Sequence, residues 1–356
     1  MTRFATSAVS AALALVLLGH GAAAVEKITL IHSVPQLTSL FAFGSSIPIE
    51  LGFWKEEGLE VEALPAPGAA AAIQLVVGGR ATAAIANPSS EMIAVQKGST
   101  VKFYYSAQRG DIFGVGLPEG SGLSTLADLK GKAIGVTSFA SGGTIYVKGL
   151  LGQAGLSEKD YTLVEIGVGA RAAAALKSGQ VQALSMYDEA YAQLAQAGLR
   201  MSRIIRDPRA KNYISGSIVV QLDDLEKRKP MLIGLARGIA KGQIFQETNP
   251  EAAVRIHWKV YPHTAPRGGV TTEEVDKAVE VNRASTKLVS RDALGTNRFG
   301  DMPRERMEDF QRYLVTTGVV PKEIDVGNYY TEELIPQINN FDAAAVAKLA
   351  KSYVPR

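Results

Sequence analysis

The chain has 356 residues, 46% of them hydrophobic and 21% charged, and a formal net charge of +3 at pH 7. This length favours about two domains, and the near balance of charge, without a basic block interleaved with aromatic residues, argues against nucleic acid as a partner. The chain contains no cysteine, which excludes disulfides, thiolate metal sites and cysteine nucleophiles.

Residues 1–24 have the pattern of a cleavable secretory signal peptide. Arg3 provides a basic start, residues 9–18 form an apolar core, and Ala22 to Ala24 provide small residues for cleavage. The apolar core is shorter than the roughly 20 residues that a membrane span needs. We therefore predict an exported protein that is not embedded in the membrane.

From Lys27 onward, short apolar runs alternate with helical stretches. The pattern predicts strands at 28–31, 59–64, 81–86 and 101–107, and helices at 69–77 and 89–96. Strands and helices that alternate at this spacing indicate an α/β fold class, with mainly parallel sheets and flanking helices. From Asp223 onward the pattern is helical almost to the end, with Asp223 and Asp224 as candidate N-caps.

Two segments 100 residues apart share the same order of features. Each has an alanine-rich helix, a glycine turn at Gly79 or Gly179, a short strand and a polar end to that strand. Chance similarity of alanine-rich helices is the alternative explanation, but the matched order favours a duplicated βαβ unit. We therefore predict two lobes joined by two crossings that form a hinge: lobe one from residues 25–112 plus 215–356, and lobe two from residues 113–214, inserted between its halves.

Three segments carry a family resemblance: GFWKEEGLEVE from Gly52, LADLKGKAIGV from Leu126 and GQVQAL from Gly179. In this order they resemble the periplasmic substrate-binding proteins of nitrate/sulfonate/taurine-type ABC importers, an SsuA-like superfamily that includes the thiamine-pyrimidine (NMT1/THI5-like) proteins. The resemblance implies a type II periplasmic-binding-protein fold, a periplasmic location and an ABC permease with its ATPase as partners. It also implies a monomer. These segments are scaffold, so they do not identify the ligand.

In open α/β sheets, ligands bind beyond the carboxyl ends of the strands. In this sequence those ends are the points where polar or small residues replace an apolar run, and the resemblance places binding residues in the same segments. The predicted ligand-binding residues are His32, Ser33, Gln36, Gly68, Asn87, Ser89, Ser90, Ser138, Ser141, Gly142, Gly143, Thr144, Gly169, Tyr187 and Asp188.

Residues 138–144 follow a strand and begin a helix, as a phosphate loop or a nucleophile turn would. The segment lacks the lysine of a nucleotide-binding loop, and no Gly-x-Ser-x-Gly motif surrounds Ser141. We therefore interpret it as a helix N-terminus that offers N–H groups and hydroxyls to a small ligand.

Several single residues leave alternatives open. His32 could donate to a ligand or be a structural histidine, and Tyr187 could contact ligand or only pack. Asp188 follows a strand and is predicted to cap a helix. His257 and His263 are predicted to lie on the surface, and the four histidines have no metal-binding spacing, so no metal, cofactor or catalytic residue is predicted.

The resulting hypothesis is a solute-binding protein that delivers a small molecule to the permease. Hydroxyls and backbone donors suggest a small organic anion, a sulfonate or carboxylate, and Phe139 with Tyr187 would accommodate an aromatic body. A neutral heteroaromatic such as a thiamine-type pyrimidine is the alternative. The sequence does not distinguish this transport role from that of a periplasmic sensor domain that passes its ligand to a signalling partner. An exported enzyme of the THI5-like superfamily is disfavoured, because that family's cysteine-rich motif is absent.

Overall fold

The computed structural model describes residues 25–110, 112–209, 213–289 and 298–355. The predicted signal peptide, residues 1–24, lies outside the described residues. No helix among those described is long and apolar enough to cross a membrane.

Two five-stranded sheets form the framework. The strands of the first are β1 (Glu26–His32), β2 (Leu59–Pro65), β3 (Ala83–Ala86), β4 (Val101–Arg109) and β10 (Ile214–Gln221), in the spatial order β2-β1-β3-β10-β4. The strands of the second are β5 (Phe113–Pro118), β6 (Ala133–Val136), β7 (Thr162–Glu165), β8 (Ala183–Tyr187) and β9 (Met201–Ile205), in the order β7-β6-β8-β5-β9.

The two sheets have equivalent topologies. β1 pairs in parallel with β2 and β3, and β10 runs antiparallel to both β3 and β4. In the same way, β6 pairs in parallel with β7 and β8, and β5 runs antiparallel to β8 and β9. The predicted α/β fold class is confirmed, and each sheet is mixed because one crossing strand enters it in the opposite direction.

The predicted duplication occupies matching places in the two sheets. Gly79 and Gly179 precede β3 and β8 and have φ of +67° and +72°, a left-handed conformation that glycine adopts without steric cost. Gly58, in the GFWKEEGLEVE segment, is likewise left-handed at φ +75° and follows a short helical turn.

Helices flank both sheets and continue to the carboxyl end. They are α1 (Ser46–Glu50), α2 (Ala69–Val77), α3 (Pro88–Gln96), α4 (Gly142–Gln153), α5 (Ala170–Lys177), α6 (Asp188–Gln196), α7 (Leu222–Lys227), α8 (Lys229–Thr248), α9 (Pro250–Val260), α10 (Thr272–Val289), α11 (Arg304–Thr316), α12 (Ile335–Ile338) and α13 (Ala343–Ser352).

Two clusters of buried hydrophobic residues pack on the first sheet, and a third packs between the second sheet and its helices. Trp54 is buried, and its indole Nε1 donates to the Leu235 carbonyl of α8 at 3.0 Å. The C-terminal helices therefore complete the core of the first sheet.

Two predicted N-caps are wrong. Gln221, and not Asp223 or Asp224, occupies the N-cap position of α7, because the helix begins at Leu222 and places both aspartates in its first turn. Tyr187 occupies the cap position of α6, so Asp188 is that helix's first residue, and its carboxylate forms an ion pair with Arg206 instead.

The chain passes from the first sheet to the second between Arg109 and Phe113, and it returns between Ile205 and Ile214. All strands of the second sheet therefore lie between the two predicted crossings. The lobe boundaries at residues 113 and 214 stay a prediction, because sheet membership assigns strands and not the segments that flank them.

Candidate functional site

A cavity lies between the two sheets, where the carboxyl ends of β1 and β3 face those of β6 and β8. Both sheets and their connecting segments contribute to its wall. The lining residues are His32, Ser33, Val34, Pro35, Phe41, Pro67, Ala69, Ile85, Asn87, Gln108, Ile112, Phe113, Thr137, Ser141, Gly142, Tyr187 and Ser215. This is the position at which open α/β sheets bind ligands.

The cavity is small. Its volume is about 40 Å³, and one enclosed water needs roughly 10–15 Å³ of such space. In this arrangement of the lobes, the space therefore suits a solute with few non-hydrogen atoms.

Part of the predicted site lines this cavity and part does not. The lining includes His32, Ser33, Asn87, Ser141, Gly142 and Tyr187. The predicted residues that lie outside the lining are Gln36, Gly68, Ser89, Ser90, Ser138, Gly143, Thr144, Gly169 and Asp188.

Several residues outside the lining are engaged in contacts within the protein. Ser89 Oγ donates to Asn87 Oδ1 at 2.7 Å, and Thr144 Oγ1 donates to the Ser138 carbonyl at 2.7 Å. Gly143 packs under Phe113, where an added Cβ would lie 2.9 Å from the ring. These contacts position the wall of the cavity.

Gln36 and Gly169 are separated from the cavity by their place in the fold. Gln36 is exposed and lines a second cavity, formed with α6, α9 and α10. Gly169 occupies the N-cap position of α5 at φ +60°, where an added Cβ would have no atom within 4 Å. Phe139, expected to support an aromatic ligand, is 61% exposed and lies outside the lining.

Three polar lining residues escaped prediction: Gln108, Thr137 and Ser215. Gln108 and Ser215 lie on β4 and β10, next to the crossings between the sheets, and Thr137 directly follows β6. Thr137 follows the apolar run that ends at Val136, so the sequence pattern could have identified it as a strand-end residue. Gln108 and Ser215 lie within strands, so only the pairing of the sheets places them here.

The N-termini of α3 and α4 point toward the cavity, but capping side chains already accept hydrogen bonds from some of their backbone N–H groups. Asn87 Oδ1 accepts from the Ser89 N–H at 3.0 Å, and Ser141 Oγ accepts from the Gly143 N–H at 3.1 Å. These are N-caps, which consume backbone donors that an anion would otherwise use. The side-chain amide NH₂ of Asn87 is the part of this residue left to serve the cavity.

His32 is both structural and part of the cavity wall. Its Nε2 lies 2.8 Å from the Gly44 carbonyl, and its ring stands edge-on to Phe41 with centroids 5.9 Å apart. Burial lowers the pKa of His32 to about 4, so the imidazole is neutral at pH 7. A carbonyl oxygen has no proton to donate, so in this contact Nε2 carries the ring proton and Nδ1 is an unprotonated acceptor.

Tyr187 supplies a neutral phenol to the wall. Its ring is buried and meets Phe113 edge-on, with centroids 6.4 Å apart. Burial, with the nearby charge of Glu189 as a smaller cause, raises the pKa of Tyr187 above its ordinary value. The hydroxyl therefore stays protonated and can donate to a ligand.

Charge is absent from the described lining. No Lys, Arg, Asp or Glu is among the residues that line the cavity in the described part of the chain. No group of three or more His, Asp or Glu side chains in that part is arranged to hold a metal ion.

Direct contacts join the two sides of the cleft. Ser138 Oγ donates to the Pro67 carbonyl at 2.5 Å, and the Ala70 N–H donates to the Ala140 carbonyl at 3.2 Å. A Cβ on Gly68 would lie 2.4 Å from the oxygen of Ala140. The structure is therefore a closed arrangement in which Gly68 permits a backbone-to-backbone approach.

The prediction that His257 lies on the surface is wrong. Its ring is fully buried in α9, with Nδ1 at 3.2 Å from Ser46 Oγ and Nε2 at 3.3 Å from the Leu37 carbonyl. His263, in contrast, is exposed. His257 lies on the face of α9 that packs against loops of the first sheet. The residues next to it in the sequence do not reveal which face of the helix is buried.

The model of the family described as NMT1/THI5 like matches residues 45–253, which is more than half of the chain. Among curated proteins, none matches the chain. The predicted resemblance is thus confirmed, and the chain belongs to the NMT1/THI5-like family.

Solved structures share the fold. A protein from Bordetella bronchiseptica RB50 superposes with a TM-score of 0.69 at 22% identity, covering 88% of this chain and 96% of its own. The alkanesulfonate-binding protein SsuA from Xanthomonas axonopodis pv. citri, bound to MOPS, has a TM-score of 0.64 at 15% identity, with coverage of 87% and 99%. The periplasmic nitrate-binding protein NrtA from Synechocystis PCC 6803 has 0.64 at 14% identity, with coverage of 91% and 90%.

Proposed function

We propose that this member of the NMT1/THI5-like family is an exported, periplasmic solute-binding protein that captures a small molecule between two lobes and delivers it to an ABC-type permease and its ATPase. The observation that carries the proposal is the cavity whose wall comes from the strand ends of both sheets. A solute in that cavity would touch both lobes at once. The names of the sulfonate- and nitrate-binding neighbours support a binding role of this type.

A solute that contacts both lobes would change the shape of the protein, and the permease could recognise that change. A solute that contacts both lobes stabilises the closed form over an open one by its extra contacts in the closed form. The closed form is the shape that the permease would recognise, and the crossings between the sheets act as the hinge. In this proposal the protein works as a monomer.

For the ligand, the geometry favours a small neutral polar solute over the organic anion predicted from the sequence. The described lining has no Lys or Arg. Backbone N–H groups at three helix starts, Ala70, Ser89 and Gly143, already donate within the protein. Sulfonates and carboxylates remain the anionic alternative.

A binding role is also favoured over catalysis. Ser141 Oγ accepts from Gly143 N, and His32 Nε2 is held by the Gly44 carbonyl, so no hydrogen bond joins this serine and histidine in the described structure. A hydroxyl nucleophile needs a base within hydrogen-bond reach. We therefore infer that the cavity lacks an activated nucleophile.

Solution scattering and tryptophan fluorescence test this function. Trp258 lines the second cavity, between α6 and α9, while Trp54 is buried in the core of the first sheet. The mature protein is titrated with amides, amino-pyrimidines, alkanesulfonates, carboxylates and nitrate. A binding solute is expected to reduce the radius of gyration and to change the Trp258 signal.

The Trp258→Phe variant is the matched control, because only the buried Trp54 signal would remain and it should not respond to closure. Failure of every solute class to bind would overturn the proposed function. Binding without any compaction would overturn the hinge mechanism.

A further inference from the structure

Two buried polar atoms in the wall of the cavity have no partner among the described residues. They are Nδ1 of His32 and Oγ of Ser215. Buried polar groups are nearly always hydrogen-bonded, because an unpaired one loses its hydrogen bonds to water without gaining others. Both residues line the same small space, which suggests that the missing partner is an occupant of that space.

The two atoms differ in the hydrogen-bonding groups with which they can pair. A serine hydroxyl can donate or accept, so Ser215 suits many ligands. Nδ1 of His32 can only accept, because Nε2 carries the single ring proton and donates it to the Gly44 carbonyl at 2.8 Å. The ring is 1% exposed, and Phe41 stands edge-on to it, so a flip would break the bond to Gly44.

We propose that His32 Nδ1 accepts a hydrogen bond from an N–H or O–H group of the bound solute, so that His32 selects donor-bearing neutral compounds such as carboxamides and lactams. This inference rests on the proposed function and names the solute class for that site. An unpaired acceptor repels the acceptor oxygens of a carboxylate or sulfonate, so solutes without a donor are selected against.

The rest of the wall complements such a solute. Asn87 has its Oδ1 occupied by Ser89, which leaves its NH₂ group to donate to a ligand carbonyl. Ile85 and Ile112 line the same cavity and would pack against an apolar body. An amide presents an N–H and a carbonyl side by side, which matches an acceptor and a donor in one wall.

Nitrogen NMR of the mature protein labelled with ¹⁵N-histidine tests the tautomer without any ligand. We expect one histidine signal set with Nε2 protonated and Nδ1 unprotonated at pH 7, assigned to His32 by its loss in the His32→Gln variant. A protonated Nδ1 would overturn the proposal.

Matched probes test the selection. Calorimetry compares 2-pyrrolidinone with N-methyl-2-pyrrolidinone, and propionamide with propionate. One neutral hydrogen bond corresponds to roughly a 2- to 12-fold change in affinity, and we expect the donor-bearing member of each pair to bind about tenfold more tightly. Equal binding within both pairs, or binding of neither donor-bearing probe, would overturn the inference.

Two variants separate this role from a structural one. The amide of His32→Gln can replace Nε2 toward Gly44 but removes the acceptor at Nδ1, whereas the amide oxygen of His32→Asn lies near the position of Nδ1. We expect His32→Gln to lose the preference for donors, and His32→Asn to retain it. Loss of the preference in neither variant would contradict the assignment. That result would overturn the role of His32 while it leaves the proposed function standing.

Discussion

At the scale of single residues, the second cavity has a buried carboxyl group in its wall. Glu189 lies in the first turn of α6 and is 1% exposed. Burial raises its pKa to about 7, and its polar contacts with Thr38 and Gln193 offset only part of that effect. The folded protein therefore retains a proton on Glu189 that the unfolded chain, with an ordinary pKa of 4.5, has released between pH 4.5 and 7.

This shift predicts the effect of Glu189→Gln. Above pH 7 the carboxylate is charged and buried, which destabilises the fold, and the penalty disappears as pH falls to 4.5. Glutamine resembles the neutral acid and does not titrate. We expect the variant to raise the free energy of unfolding by about 3 kcal/mol at pH 8 and to change it little at pH 4, as measured by denaturant unfolding.

Glu119→Gln provides the control, because Glu119 is exposed and its replacement should alter stability little at either pH. The same gain for Glu189→Gln at pH 4 and at pH 8 would show that the effect does not come from titration.

At the scale of elements, α8 packs closely against the segment that connects β1 and β2. Gly234, Gly238 and Gly242 lie four residues apart and therefore on one face of the helix. A Cβ on Gly238 would lie 2.2 Å from the Trp54 indole, and one on Gly242 would lie 2.0 Å from the Phe43 carbonyl oxygen. From propensity alone, these glycines weaken the helix; in the fold, they allow the helix to approach backbone and ring.

Gly242→Ala is therefore expected to destabilise the protein, although alanine is about 1 kcal/mol better than glycine in a helix interior. The clash with a backbone carbonyl has no flexible side chain to relieve it, so we expect a net loss of about 2 kcal/mol or more in the free energy of unfolding. Thermal and denaturant unfolding measure the change.

Gly152→Ala is the matched control in a helix. Gly152 is exposed near the end of α4, and its Cβ would meet nothing closer than 4.0 Å, so this variant should be neutral or slightly stabilising. A stabilising effect of both alanines would contradict the close-packing explanation.

At the scale of the whole molecule, closure depends on how nearly the two lobes can meet. Gly68 has φ 167° and ψ 178°, an extended conformation that any residue can adopt. The need for glycine therefore comes from Ala140, whose carbonyl oxygen would lie 2.4 Å from a Cβ. Gly68, predicted to bind ligand, is more directly explained as a residue that permits closure.

Gly68→Ala should hold the lobes apart without unfolding either one. We expect a larger radius of gyration in saturating solute than for the unchanged protein, and a loss of affinity of about tenfold or more, measured by solution scattering and calorimetry. The two measurements should change together, because the solute gains its extra contacts only in the closed form.

The control is Gly78→Ala, at the other end of the same helix, where the nearest atom to the added Cβ is Gln74 O of that helix at 3.2 Å. Normal compaction in Gly68→Ala would refute the role of this contact in closure.

The sequence by itself determined the local elements and the family. Helix 69–77 coincides with α2, and strand 59–64 covers all but the last residue of β2, because apolar periodicity and glycine punctuation act over a few neighbouring residues. The turn glycines Gly79 and Gly179 were recognisable for the same reason. Four of the six predicted residues that line the cavity, His32, Ser33, Asn87 and Tyr187, lie at strand ends, where the apolar run stops and the pattern itself marks the edge of the sheet. The other two, Ser141 and Gly142, lie at the start of α4.

Only the tertiary structure decided which side chains meet. Gln108 and Ser215 reach the cavity through the pairing of β4 with β10, and Asp188 pairs with Arg206 from another segment. His257 is buried against Ser46, 211 positions away in the chain. These contacts depend on how sheets and helices pack across the whole chain, and a local sequence pattern carries no information about partners so far away.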